Sequence, residues 1–204
     1  MPPGGVGNPE LLLKSMTQKH PNAVSPDGKY LIYDDHHPTQ HQDLWVLPLT
    51  APPAERKPVP FIVTPADESF AQFSPDGKWV AYASNESGRQ EVYVQGFAPD
   101  RNPAVGGGKW QISSAGGDKP RWRRDGRELY YLSPDRKLMA VPVRTGATFT
   151  PGVAVPLFET RAAGFFPYDV GADGRFLINT LPEPNAIVST PVTVVLDWKA
   201  GLKK

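Results

Sequence analysis

The sequence predicts an all-β protein, a β-propeller of about four four-stranded blades, and three observations predict it. The first is a tandem repeat. Ser25-Pro26-Asp27-Gly28-Lys29-Tyr30-Leu31-Ile32-Tyr33 aligns without gaps on Ser74–Tyr82, Arg123–Tyr131 and Gly171–Asn179. The Asp residues of the four copies are separated by 49, 49 and 48 residues. The second is that each repeat holds short apolar runs between turn signals, with no helical periodicity of comparable length. The third is composition. The 204 residues include 24 Pro and 19 Gly, yet 39% are hydrophobic and 10% aromatic. A disordered chain lacks that apolar content, so the Pro and Gly read as punctuation between strands.

The turn comes first in the argument, because it sets the period. In Ser74-Pro75-Asp76-Gly77 the Pro presets φ, Asp suits the next position, and Gly takes the φ > 0 conformation that closes a bulged hairpin. Asp27, Gly28, Asp76, Gly77, Asp125, Gly126, Asp173 and Gly174 are therefore structural turn residues. The third and fourth copies lose Ser-Pro and keep Asp-Gly, as a turn role requires, so metal binding by these Asp residues is not expected. A first strand precedes the turn at Phe70–Phe73, Pro120–Trp122 and Phe166–Val170. Third strands follow at Asp43–Leu47, Glu91–Val94 and Lys137–Val141, and fourth strands at Phe61–Thr64, Trp110–Ser113 and Val155–Glu159. A four-stranded sheet repeated in tandem covers both faces only by stacking on its neighbours, which makes the recurrent aromatics inter-blade core.

Charge and composition exclude several classes. With 22 basic and 21 acidic residues the net charge is +1, and Arg121, Arg123 and Arg124 form the only basic cluster, so no nucleic-acid surface is expected. The absence of Cys excludes disulfides and thiolate metal sites. No stretch reaches the ~20 apolar residues of a membrane span, and residues 1–7 do not read as a signal peptide.

The peptides 25–33 and 74–82 resemble the WD40-like repeat of TolB-type propellers. The strings Gly107-Gly108-Lys109-Trp110-Gln111-Ile112-Ser113 and Pro120-Arg121-Trp122-Arg123-Arg124-Asp125-Gly126 are more specific, as is the ending Pro191–Trp198 with Ala200–Lys204. Together they resemble the C-terminal region of large bacterial proteins in which a serine/threonine kinase domain precedes a propeller. The resemblance runs from about Glu10 to the end. No kinase motif is present: there is no His-Arg-Asp, no Asp-Phe-Gly and no Gly-rich loop after a strand. TolB-like propellers also precede hydrolase domains in the prolyl oligopeptidase family, whose Gly-x-Ser-x-Gly elbow is absent here too.

The expected organisation is a disordered leader at 1–9, blades over 10–198 in units of about 19–66, 67–115, 116–163 and 164–198, and a tail at 199–204. The last unit lacks one strand, and Glu10–Lys14 matches the fourth-strand type. It either completes a small closed ring or is the remnant of a lost blade in an open arc cut from a larger propeller. The longer parent implied by the resemblance favours the arc, whose open edges would associate with other copies. A membrane-spanning parent would place the chain in the periplasm or another extracytoplasmic compartment, and any other parent in the cytoplasm.

In such a meander the Asp-Gly turns share one face, and the loops of variable length share the other. Recognition usually sits on variable loops held by a rigid scaffold. This assigns Asp67, Glu68, Asp118, Lys119, Arg161, His36, His37 and His41 as candidate binding residues. The histidines lie beside Asp34, Asp35 and Asp43, but the matching loop of the second unit, Ser84–Gly88, has none, so this reads as a polar loop and no metal or other cofactor is expected. His20 reads as a solvent-facing linker residue. No nucleophile–base pair stands out and no catalytic residue is assigned. The sequence thus favours a non-catalytic protein-interaction or ligand-sensing propeller, the sensor or scaffold part of a larger signalling protein, binding an unidentified protein or small ligand. The alternatives are a hydrolase-gating propeller, a metal-dependent propeller enzyme, or a structural assembly module.

Overall fold

The computed structural model describes residues 10–37 and 41–180. Three complete antiparallel meanders follow one another. The first joins β1 (Gln18–Val24), β2 (Tyr30–His36), β3 (Gln42–Pro48) and β4 (Val59–Ile62) in that order. The second joins β5 (Glu68–Phe73), β6 (Trp79–Ser84), β7 (Glu91–Phe97) and β8 (Val105–Gln111). In the third, β9 (Asp118–Trp122), β10 (Glu128–Leu132) and β11 (Lys137–Arg144) pair in sequence, and the outer position is divided between β12 (Thr150–Pro151) and β13 (Val155–Glu159). The hairpin β14 (Tyr168–Val170) and β15 (Phe176–Ile178) opens a fourth sheet. Its expected later strand at 192–198, the leader at 1–9 and the tail at 199–204 lie outside the described residues.

Three apolar clusters are the three seams between successive sheets. Ile32, Leu44, Val46 and Phe61 of the first sheet meet Ala71, Phe73, Val80, Tyr82 and Tyr93 of the second. Trp79, Ala81, Val92 and Val94 of the second meet Trp122, Leu129, Tyr131, Val141 and Phe149 of the third. Tyr130, Leu138 and Ala140 then meet Tyr168, with Val170, Phe176 and Ile178 packed against them. Strand β6 explains the arrangement. Its alternate residues point to opposite faces, so Val80 and Tyr82 enter one seam while Trp79 and Ala81 enter the next, and all six of its residues are buried.

The four corners share one geometry. Gly28, Gly77, Gly126 and Gly174 have φ of 73°, 70°, 71° and 77°. In each, the Asp carboxylate accepts the backbone N–H two residues on, from Lys29 (3.1 Å), Lys78 (3.2 Å), Arg127 (3.0 Å) and Arg175 (3.1 Å). A fifth turn of this kind, Ser133-Pro134-Asp135-Arg136, joins β10 to β11, with Arg136 at φ 62° where the others have Gly. It was not distinguished in the sequence because it lacks the Asp-Gly pair.

Glu10–Lys14 pairs with no strand among the described residues; in a closed ring its partner would be 192–198, which lies outside them. The first unit does have an inner strand, β1, although its Gln-Lys-His-Pro-Asn-Ala-Val sequence carries no Phe, Tyr or Trp. The β8 strand also begins earlier than Trp110, since Gly96 and Gly106 let β7 and β8 approach so closely that a Cβ on Gly96 would lie 2.1 Å from the Gly106 oxygen.

A non-Gly residue in the left-handed region costs about 1–2 kcal/mol, part of which the reduced entropy of its unfolded state offsets. Gly77→Ala is therefore expected to lower the unfolding free energy by about 1 kcal/mol. Arg136→Gly is expected to raise it by about 0.5–1 kcal/mol, both measured by urea denaturation.

Candidate functional site

The first strands of the four sheets, β1, β5, β9 and β14, surround a common cavity. Each contributes to it: Asn22, Gln72, Arg121 and Tyr168 line a space of about 350 Å³, with Phe166, Asp169, Leu177 and Asn179. Hydrogen bonds tie these strands at intervals of 50, 50 and 49 residues, each close to the repeat's own. The Gln72 amide donates to the Asn22 carbonyl (3.2 Å), the Trp122 indole N–H to the Gln72 carbonyl (3.0 Å), and the Tyr168 hydroxyl to the Lys119 carbonyl (2.9 Å).

The strands approach the axis through bulges. Pairing slips between Pro21 and Ala23 in β1 and between Ser69 and Gln72 in β5. Phe70 and Lys119, each six residues before an Asp-Gly aspartate, have φ of 56° and 54°. A bulge re-aims the side chains beside it. Two residues past Lys119, Arg121 lies inward and is 8% exposed. The Arg121 guanidinium donates to the Pro120 carbonyl (2.8 Å) and lies 6.0 Å from the ring centres of Phe166 and Tyr168. Among the described residues it forms no ion pair. The Arg121–Arg124 group is thereby split, because Arg123 pairs with Glu128 (2.8 Å) at the corner and Arg124 faces solvent.

The candidate residues read from the sequence go to different places. Glu68 is the clearest correction: it is fully buried, accepting hydrogen bonds from Thr64 (2.7 Å) and Ser84 (3.1 Å), and is therefore not a surface contact. The first position of β5 lies inside a seam, which residue type alone does not reveal. Burial pushes its carboxyl up to about 7, only partly opposed by those two hydrogen bonds. Asp67 stays exposed, accepting from the Gln42 backbone (3.1 Å) with His41 3.7 Å away. Lys119 pairs with Asp118 (2.8 Å) and sits 4.7 Å from the Phe70 ring centre, bridging two blades. His37 and Arg161 each have interactions of their own.

His36 ends β2 rather than lying in a loop, and His20 is no linker residue. His20 lies on β1 directly opposite Asp34, and His36 follows two residues later on the same face of β2. Both imidazoles contact one buried carboxylate: His20 Nδ1 is 3.1 Å and His36 Nε2 2.7 Å from Asp34 Oδ2. The missed signal was period-2 spacing, Gln18-x-His20 facing Asp34-x-His36.

No family model matches the chain, and no curated protein does. Solved structures do. TolB of Acinetobacter baumannii superimposes with a TM-score of 0.60 at 18% identity, over 85% of this chain and 40% of that one. The fold is that of a TolB-like β-propeller. A puromycin-hydrolyzing peptidase of Mycobacterium tuberculosis gives 0.57 at 19% identity, over 79% of this chain and 26% of its own. The periplasmic gluconolactonase of Pseudomonas aeruginosa gives 0.51 at 20%, over 76% and 48%. The chain thus spans less than half the length of each of these structures, and the likeness is one of fold. In the terms of this propeller, the cavity lies on the axis and the His20–Asp34–His36 group stands at the loop end of the first blade.

The raised Glu68 carboxyl links stability to pH. Folding favours its protonated form, so the stabilisation is complete below the unfolded value near 4.5 and is lost as pH rises through about 7. Relative to Glu68→Gln, the wild-type protein is expected to lose up to about 3 kcal/mol of unfolding free energy between pH 5 and pH 8. Denaturant titrations of both proteins across that range check this.

Proposed function

We propose that this propeller is a non-catalytic recognition module, the sensor part of a larger signalling protein, and that it takes an anionic group into its axial cavity. The observation that carries this reading is Arg121. A buried cation is ordinarily paired with a carboxylate, because leaving water costs several kcal/mol that hydrogen bonds to neutral groups only partly return. Here one backbone carbonyl and two aromatic faces are its contacts, and Asn22 and Gln72 line the same cavity, with Asp169 at its exposed side making no ion pair with the guanidinium. A guanidinium without an ion-pair partner suits a carboxylate or phosphate, which it meets with two parallel hydrogen bonds. The kinase-linked parent is the one that the sequence resemblance implies. In that setting the variable-loop face, with Asp67, Asp118 and Lys119, offers the surface on which a partner protein reads the occupied state.

The test is thermal unfolding with citrate, succinate or inorganic phosphate. A ligand at a hundred times its dissociation constant stabilises by about 2.7 kcal/mol. For a chain of this size that is roughly a 5–10 °C rise in Tm. At least one anion is expected to give this rise in the wild-type protein and none in Arg121→Met, which loses one protein hydrogen bond and is expected to fold. Equal shifts in both proteins, or no shift with any anion, would defeat the reading.

A further inference from the structure

The cluster at the loop end of the first blade carries an inference independent of Arg121. We propose that His20 Nδ1, His36 Nε2 and Asp34 Oδ2 form a binding site for a divalent transition-metal ion, zinc foremost.

The arrangement follows from strand register. β1 and β2 pair with His20 opposite Asp34, and β2 and β3 pair with His36 opposite Gln42. Since alternate residues share a face, three strands bring Gln18, His20, Asp34, His36 and Gln42 to one side of the sheet. The three ligand atoms all lie within 4.8 Å of one another. Zinc bonds of ~2.0–2.1 Å in a tetrahedral site place neighbouring ligand atoms about 3.3 Å apart. The two distances to Asp34 Oδ2, 3.1 and 2.7 Å, therefore need only small side-chain rotations to admit an ion.

Charge favours the same conclusion. The Asp34 side chain is 1% exposed and has no Lys or Arg partner among the described residues. The nearby Lys19 belongs to the opposite face, where it pairs with Asp35. Two amides and two imidazoles contact this carboxylate, and no Lys or Arg among the described residues compensates its charge. A dication held by the two imidazoles would compensate it directly.

The surrounding groups already hold the ligands in place. Asn22 Nδ2 donates to Asp34 Oδ1 at 2.5 Å and Gln42 Nε2 to Oδ2 at 2.9 Å. The Gln18 amide is 2.9 Å from His20 Nε2, and turned to present its oxygen it accepts that N–H while Nδ1 binds metal. Two imidazoles and one carboxylate suit zinc and its first-row neighbours rather than calcium or magnesium, which prefer oxygen alone. The imidazoles are 30% and 33% exposed, so a fourth position stays open to water or to a ligand. Asn22 also lines the axial cavity, so the ion would stand one residue away from it.

The experiment uses the full chain, without a polyhistidine tag and stripped by chelator, titrated with Zn²⁺ by calorimetry. One ion per chain is expected to bind. His36→Gln and Asp34→Asn are each expected to weaken it by about a hundredfold or more, since even the loss of an outer supporting group costs ~10–100-fold. His41→Gln, at Asp67 rather than at Asp34, is expected to bind as the wild type does. Cobalt substitution gives a readout that does not depend on variants: a visible absorption band of tetrahedral or five-coordinate Co²⁺ is expected, and is lost on adding Zn²⁺. No uptake of either ion, or affinity unchanged in His36→Gln, would overturn the proposal and leave the cluster as hydrogen bonds alone.

Discussion

Each blade has two apolar faces and no layer of its own to cover either, so the structure depends on the burial of one sheet against the next. Strand β6 shows this constraint most directly, with Val80 and Tyr82 committed to one neighbour and Trp79 and Ala81 to the other. Such a strand has no solvent side, and its alternation is between two interiors rather than between core and water. The repeat interval follows, because each blade must offer its neighbour the same outline. The hydrogen bonds from Gln72 to Asn22 and from Trp122 to Gln72 span 50 residues each.

The same packing explains why the charged groups that matter lie at the rims and axis. Toward the loop ends of the strands, buried positions carry carboxylates instead of hydrocarbon. Asp34 and Glu68 are there, as is Glu91, which accepts from the Gly116 backbone (2.9 Å) and Arg89 (2.6 Å). At the axis the inner strands converge too closely for bulky side chains throughout. Bulges at Phe70 and Lys119 accommodate the convergence and leave a cavity in which Arg121 is the cation. Positive φ at non-Gly residues stores strain, which persists where the surrounding packing over-determines it.

The corners were the most legible feature. Pro, Asp and Gly act on their own backbone within four residues, so the Asp-Gly motif reports its conformation without knowledge of the fold. Strands rich in aromatic and branched residues, such as Trp79–Ser84, were legible for a similar reason. β1 was not, because His20, Pro21 and Asn22 owe their extended conformation to pairing with β2 rather than to intrinsic preference. Glu68 was misplaced because an acidic residue at a loop boundary reads as exposed, whereas packing leaves it fully buried and bonded to Thr64 and Ser84. Arg121 was read with Arg123 and Arg124 as one basic group. Sequence adjacency does not say that a bulge sends the first of them inward.

By itself the sequence determined the period, the class of fold and the corner geometry, all set by local backbone preference and by apolar runs that recur at fixed spacing. It also determined that charge is balanced and that thiol chemistry is absent. Only the tertiary structure decided which polar residues share a site. His20 and Asp34 are fourteen positions apart. Asn22, Gln72, Arg121 and Tyr168 are only four of the residues around the axial cavity, one from each inner strand. Register and inter-blade packing bring such groups together, and both depend on partners distant in the chain.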